Sequence, residues 1–392
     1  MTPAPAQTFE VLEAQAQRLM AAFTAAGYEH LSLPIVQPAN AFLDVIGEEL
    51  RARTYVFTDP DGAELCLRPD LTVPTCLHYL SDPSAAGDAP RYCYNGPAFR
   101  FQPQGADAAH PREFHQCGIE AFGNARKDAA DAETLALTLA AVRAAGFERW
   151  QIRIGDLGLF QALLHGLGMP ERWLRRLLHR SRRTEAFRAE LNRLVTDPAR
   201  IDPQVPRALI EALDPDRPAE AEAVVGEYLA GADIEAIGTR TVAEIAQGLL
   251  ELAADANARP LAQQAAQAIE DYLAMSGPAR AISGRFLEAF RVLSPDVPSA
   301  TEAYDGRMRH LRAAGVDVDA MTFSAEFGRN LAYYTGFVFE VLAPSLGPVS
   351  PIAGGGRYDS LLADIGAPSR IPAVGACIHT ERLLAVLRGA AP

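Results

Sequence analysis

A chain of 392 residues is too long for one ordinary core and short for three, so two domains, or one large domain carrying an insertion, are expected. Apolar residues at 49% and charged residues at 22% exclude a disordered or fibrous class. The 36 Lys and Arg against 49 Asp and Glu give a formal charge of -13, which disfavours a protein that binds by neutralising phosphates, though not a local basic patch.

Residues 1–10 lack a basic start and an apolar segment, and no apolar run approaches the ~18 residues that cross a bilayer. A cytoplasmic protein without membrane contact is expected. Cys66, Cys76, Cys93, Cys117 and Cys377 are odd in number and lack CxxC spacing, which argues against a disulfide framework and a zinc site. They read as small buried hydrophobes, and neither a metal nor a cofactor is expected.

Phe9, Leu12, Ala16, Leu19 and Phe23 recur at helical spacing, with Gly27 where a left-handed residue ends a helix. An extended segment, His30 to Val36, follows and contains Pro34. Thr54–Phe57 and Leu65–Leu67 flank Asp59-Pro60-Asp61-Gly62, a hairpin signal. Further extended stretches are predicted at Tyr92–Tyr94, Ala98–Phe101 and Glu113–Phe122, then a helix over Asp131 to Ala145 stopped by Gly146, then a strand at Trp150–Ile154.

From about Leu157 to Leu311 the chain is rich in Ala, Leu, Glu and Arg and nearly free of strand-like alternation, which predicts an all-helical insertion. Within it Arg172, Arg176, Arg180 and Arg183, with Arg175 and His179, form a basic stripe opposite Leu174, Leu177 and Leu178. That stripe is either a solvated helix face or a surface for an acidic partner. Strand signals return at Tyr333–Leu342, followed by Gly354-Gly355-Gly356 and a last helix from about Ile378 to Arg388. The glycine run lacks the strand, GxGxxG and helix order of a dinucleotide site, so close approach of backbone to the sheet or to a ligand is its expected role. The pattern is α+β, an antiparallel sheet flanked by helices, with residues 1–156 and 318–392 as one domain and 157–317 as the insertion.

Four segments together resemble histidyl-tRNA synthetase and its paralogues, a class II aminoacyl-tRNA synthetase-like fold: Leu67–Thr72 (LRPDLT), Phe99–Gly123, Arg329–Glu340 (RNLAYYTGFVFE) with Gly354–Asp359 (GGGRYD), and Val374–Leu383 (VGACIHTERL). Their order and the long helical gap match the family over nearly the whole chain. The first helix and its Pro34-containing strand also look like the family's dimer-forming first motif, which implies a homodimer.

The resemblance implies a site for free histidine. Asp70, Thr72 and Gln116 would hold the α-amino group, Glu120 and Tyr334 would meet the imidazole nitrogens, Tyr358 would wall the ring and Arg329 would face the carboxylate, with Arg100 and Tyr333 completing the histidine-binding set. An analogue lacking the imidazole N–H would leave Glu120 buried and unpaired, at roughly 1–3 kcal/mol. Asp70 stands where the synthetases usually carry Glu, one methylene longer.

Adenylate formation fits this sequence less well. Arg100 and Arg382 match the family's phosphate-contacting arginines, and Gln102, Arg112, His379 and Arg382 are the residual nucleotide-type positions. However, Gln102 replaces the usual Glu, and Ala106, Ala108 and Ala109 stand where a basic closing segment is expected. His379 occupies a position where the family favours Gly, placing an imidazole where adenine would approach backbone. Only ten residues follow Arg382, too few for the anticodon-binding domain of the synthetases.

The paralogue these features resemble is the regulatory subunit that accompanies short-form ATP phosphoribosyltransferase, the first enzyme of histidine biosynthesis. The resemblance implies a non-catalytic, histidine-sensing chain that forms a homodimer inside a hetero-octamer with a separate catalytic subunit, without tRNA. A truncated histidyl-tRNA synthetase forming histidyl adenylate is the alternative.

Overall fold

The computed structural model describes residues 9–43, 50–82, 89–103, 105–106, 110–180, 184–200, 205–215, 217–232, 241–255, 258–327 and 333–389. The chain divides into two compact units, Met1–Gly166 with Tyr272–Pro392, and Leu167–Asp271. No helix among the described residues is long and apolar enough to cross a membrane.

In the first unit the strands, in chain order, are β1 (Glu29–Leu31), β2 (Val36–Pro38), β3 (Tyr55–Thr58), β4 (Glu64–Leu67), β5 (Arg91–Phe99), β6 (Glu113–Phe122), β7 (Gln151–Asp156), β8 (Ser276–Pro278), β9 (Thr322–Ser324), β10 (Phe337–Leu342), β11 (Ala353–Arg357) and β12 (Ala373–His379). Among the described residues they form a nine-stranded sheet, β1-β5-β6-β12-β11-β10-β7-β9-β8, and a three-stranded sheet, β2-β4-β3. The six central strands of the large sheet pair antiparallel, while β1 with β5 and β7 with β9 run parallel.

Local sequence explains much of this. The helix Phe9–Ala25 buries Ala16, Leu19 and Phe23 and gives way to Gly27 at φ 84°. The β3–β4 hairpin closes through Asp59, whose backbone N–H donates to the Ala63 carbonyl at 3.0 Å. The expected single strand over His30–Val36 is two strands in two sheets, parted at Leu33–Pro34, where both carbonyls accept from the Arg68 guanidinium. Conversely Tyr92–Tyr94 and Ala98–Phe101, expected as separate stretches, fall largely within one strand, β5. Arg68 Nε donates to the Pro97 carbonyl at 2.8 Å, and a Cβ on Gly96 would lie 2.4 Å from Arg68 Nη2, so the Gly-Pro pair makes room for a buried arginine rather than a turn.

The glycine run sits in β11, where it lets backbones close in. A Cβ on Gly355 would come within 2.3 Å of the Gly375 carbonyl oxygen, and one on Gly356 within 2.5 Å of that of Phe337.

The expected insertion over 157–317 is narrower in the structure. The helices Leu157–Gly166, Ile282–Phe290 and Val297–Ala313 belong to the first unit, and Ser276–Pro278, read as helical territory, is edge strand β8. Buried charge draws the helix Val297–Ala313 to the sheet. Arg307 donates to Asp131 Oδ2 at 2.9 Å, on the helix Lys127–Ala144, and to Asp156 Oδ2 at 2.6 Å, at the end of β7. Arg357, from β11, donates to the other oxygen of Asp131 at 2.8 Å. Such charges stay in the interior only when each has a partner, so this network ties four elements together.

In the second unit Arg172 and Arg176 of the arginine stripe are turned to buried acid, while Arg175 and Arg180 stay exposed. Asp255, fully buried, accepts from Arg172 Nε at 2.7 Å, Trp173 Nε1 at 2.6 Å and Arg176 Nη2 at 2.6 Å. Burial raises the Asp255 carboxyl's affinity for a proton, but these donors outweigh it and hold the group below the ordinary range. Arg180 pairs with the buried Glu190 at 3.1 Å, and Arg175 with Glu251 at 2.7 Å. The acids that neutralise the stripe lie up to 83 residues away in sequence, so helical spacing alone could not show them. Arg183 and the His179 side chain lie outside the described residues.

Candidate functional site

One face of the large sheet is laid out by register. Alternation along β6 and β12 sets Gln116 opposite His379, Gly118 opposite Cys377 and Glu120 opposite Gly375. The glycines leave space for the larger side chains: a Cβ on Gly375 would lie 1.6 Å from Glu120 Oε2. The helix Thr72–Ser81, β10, β11 and the segment around Tyr333 close round this face and leave a cavity of ≈ 370 Å³.

Asp70, Thr72, Arg100, Gln116, Glu120, Tyr333, Tyr334 and Tyr358 all line it, as do Gln102, His379 and Arg382. Arg329 lies outside the described residues, as do Ala108 and Ala109. Arg112 is not on the wall; its carbonyl accepts from the Arg100 N–H at 2.8 Å, pinning the base of the following loop.

Glu120 is 1% exposed and lies at the floor of the cavity. Thr72 Oγ1 donates to its Oε1 at 2.8 Å and Tyr94 Oη donates to the same oxygen at 3.0 Å. Tyr358 Oη donates to Oε2. Burial raises the Glu120 carboxyl from 4.5 to about 7, against the opposing pull of these hydroxyls. Thr72 therefore spends its only proton on Glu120, and its oxygen is left to act as an acceptor.

Asp70 is 3% exposed. Its Oδ1 accepts from the Val73 N–H at 3.1 Å in the first turn of the helix Thr72–Ser81, while Oδ2 is buried without a partner. Gln116 donates through Nε2 to Cys377 Sγ at 3.4 Å, and its Oε1 is likewise buried and unpartnered. Buried polar atoms are almost always paired. Two orphaned acceptors and the Thr72 oxygen on one cavity wall form a receptor for a small multivalent donor, such as an ammonium. Burial also raises the Asp70 carboxyl, with Arg100 opposing it.

The nucleotide-type positions have other occupations. Arg53 Nη2 donates to Gln102 Oε1 at 2.6 Å and Gln102 Nε2 donates to the Pro111 carbonyl at 3.0 Å, so both ends of that amide hold the loop. The His379 ring stands 5.6 Å from that of Phe114, whose face carries the Arg100 guanidinium at 5.1 Å. Burial, then Arg382 and Arg100, push the His379 imidazole well below its ordinary range and keep it neutral. Arg382 donates to the Pro351 carbonyl at 3.0 Å. Among the described residues no three His, Cys, Asp or Glu side chains converge as metal ligands.

Sequence reasoning missed Tyr94, Phe114, Gly375 and Cys377. Strand alternation marks Tyr94 as buried, but only the β5–β6 register brings its hydroxyl to Glu120. The other four cysteines are buried, as expected, whereas Cys377 is partly exposed on the cavity wall.

Comparison with known proteins agrees with this geometry. A family profile described as histidyl-tRNA synthetase matches residues 3–224 and 223–383. A structure described as an ATP phosphoribosyltransferase regulatory subunit/histidyl-tRNA synthetase from Bacillus halodurans superposes with a TM-score of 0.69 at 19% identity, covering 99% of this chain and 82% of that one. A histidyl-tRNA synthetase from Nostoc sp. does so with a TM-score of 0.62 at 16% identity, covering 99% and 75%. These likenesses set the class, a class II synthetase-like α+β fold.

At the level of sequence, a protein from Rhizobium leguminosarum bv. trifolii named ATP phosphoribosyltransferase regulatory subunit is 34% identical over 377 residues, spanning 94% of this chain and 96% of the relative. One of the same name from Mesorhizobium japonicum is 35% identical over 374 residues, spanning 94% and 96%. The chain belongs to the histidyl-tRNA synthetase-like family of ATP phosphoribosyltransferase regulatory subunits.

Because the folded Glu120 carboxyl is raised to about 7 from 4.5, the native state holds this proton more tightly than the unfolded chain. The stability it contributes is complete below about pH 4.5 and is lost as pH rises through about 7. Glu120→Gln stays neutral throughout, so across that window the wild type should lose on the order of 3 kcal/mol relative to the variant in urea unfolding. Parallel stability–pH curves would contradict the assignment.

Proposed function

We propose that this chain is a non-catalytic regulatory subunit that takes up free histidine in the cavity and passes feedback control to a separate, short-form ATP phosphoribosyltransferase catalytic subunit in the cytoplasm. The observation that carries the reading is the pair of orphaned acceptors, Asp70 Oδ2 and Gln116 Oε1, sharing one cavity with the buried Glu120. An α-ammonium supplies the missing donors at one end, and an imidazole N–H meets the carboxylate at the other. Tyr334, Tyr333 and Tyr358 surround the ring, and Arg100, with Arg329, serves the ligand carboxylate. The names of the relatives support the choice of catalytic partner.

Histidine can inhibit only by binding one state of the assembly more tightly than another. The segment from Gln102 to Pro111 suits that role, because Gln102 both lines the cavity and holds Pro111. In this reading the unliganded subunit activates its partner, and filled cavities reverse the activation. The adenylate-forming alternative draws on Arg100 and Arg382, which also line the cavity. Against it stands Gln102, whose neutral amide is committed to the loop.

Self-association fits the same picture. Ile35, Val36, Val56 and Phe57, with Phe101 nearby, expose apolar side chains on and beside the small sheet, an area that a homodimer would cover.

Two outcomes are expected. In the reconstituted complex, histidine should inhibit the catalytic subunit, and Glu120→Ala or Tyr334→Ala should weaken that inhibition at least ~10-fold with assembly intact; unchanged sensitivity, or histidine-dependent pyrophosphate–ATP exchange by the chain alone, rejects the proposal. In sedimentation velocity, Val36→Asp with Phe57→Asp should convert dimers to monomers, whereas a wild-type chain that is already monomeric rejects the homodimer.

A further inference from the structure

We infer that Tyr94 is a positioning residue of this cavity: together with Thr72 it occupies one oxygen of Glu120, so that a single acceptor site on the other oxygen is left to read the ligand. The inference rests on the histidine reading above and goes beyond it by saying how the carboxylate is made selective.

An ionised carboxylate offers about four lone-pair sites. Thr72 and Tyr94 donate to Oε1 at 2.8 and 3.0 Å and fill it, while Tyr358 donates to Oε2 and leaves one site there. Tyr94 is 1% exposed and does not line the cavity, so it acts on the carboxylate from behind.

The sheet is carved to let the two side chains meet. Gly118 pairs with Tyr94 across β5 and β6, and a Cβ there would lie 2.6 Å from both Tyr94 Oη and the Ala376 carbonyl oxygen. Gly375 pairs with Glu120 across β6 and β12, and its Cβ would overlap Oε2. Larger residues at either position would push the tyrosine off the carboxylate or the carboxylate off its site.

A carboxylate with one open site matches one N–H. A guanidinium needs two oxygens side by side for its fork, and here one of the two is already filled. The arrangement therefore favours an imidazole over the longer cationic side chain of arginine by hydrogen-bond count, in addition to any effect of size.

The other titratable groups facing Glu120 do not compete for its proton near neutrality. Tyr28, Tyr94, Tyr333, Tyr334, Tyr358, Cys76 and Cys377 are all driven upward by burial and stay protonated. Asp70, faced by Arg100, is the second carboxyl and is controlled by Asp70→Asn.

Calorimetric titration of histidine and arginine across the neutral pH range tests this on the full chain, with Glu120→Ala as reference. Tyr94→Phe should bind histidine about ten-fold more weakly. With the protonation of free histidine divided out, the acid limb of its affinity–pH profile should move up by about one unit, because the carboxylate loses a donor that favours its charged form. Thr72→Val opens the same oxygen on the cavity side and should narrow the preference for histidine over arginine, since Oε1 becomes available to a fork, which keeps the test available if Tyr94→Phe fails to fold. A Tyr94→Phe chain with wild-type affinity and pH profile, alongside a Glu120→Ala chain that no longer binds, overturns this inference alone. Absence of histidine uptake by the wild type overturns the underlying reading instead.

Discussion

A carboxylate on a central strand, buried at the floor of the cavity, is the constraint around which this site is built. Glu120 lies between β5 and β12, with a glycine opposite on β12 and the hydroxyls of Thr72, Tyr94 and Tyr358 around it, and even so burial raises it to about 7. An unpaired buried charge is among the most destabilising features a fold can carry, so each neighbour has a defined part. Gly375 yields space, Thr72, Tyr94 and Tyr358 yield protons, and the tyrosine rings keep solvent away. The structure leaves one acceptor site open, and its cost is offset only when a donor arrives.

The rest of the cavity repeats the logic at lower intensity. Asp70 is held by the first turn of its helix through one oxygen and presents the other without a partner, and Gln116 does the same with its amide oxygen. These unmet acceptors point to a ligand with an ammonium at one end and a ring N–H at the other. On the opposite side, the polar groups that would serve a nucleotide are turned to structural use, with Gln102 bound at both ends and His379 packed near Phe114. Retention at one end of the cavity and reassignment at the other is the physical basis for reading a sensor rather than a synthetase.

Much of this was legible in the sequence. The helix Phe9–Ala25, the β3–β4 hairpin and strand β6 follow from spacing and turn residues, and every named cavity residue within the described positions, apart from Arg112, lies on one wall system. What escaped was long-range. Pro34 divides an extended segment between two sheets because Arg68 captures the carbonyls at the break, and Gly96-Pro97 fails to interrupt β5 because the same arginine fills the gap. The stripe from Arg172 to Arg180 looked like a surface because its partners, Glu190 and Asp255, belong to other helices. Tyr94 carries no local mark beyond its burial, since a buried tyrosine in a strand is ordinary until register reveals what its hydroxyl meets.

The central claim is most directly tested by a crystal structure of the chain grown with saturating histidine. The account predicts one histidine in the cavity, its α-ammonium among Asp70 Oδ2, Thr72 Oγ1 and Gln116 Oε1, and one ring N–H on Glu120 Oε2. An empty cavity at saturation, or a histidine bound elsewhere with Glu120 untouched, would contradict it.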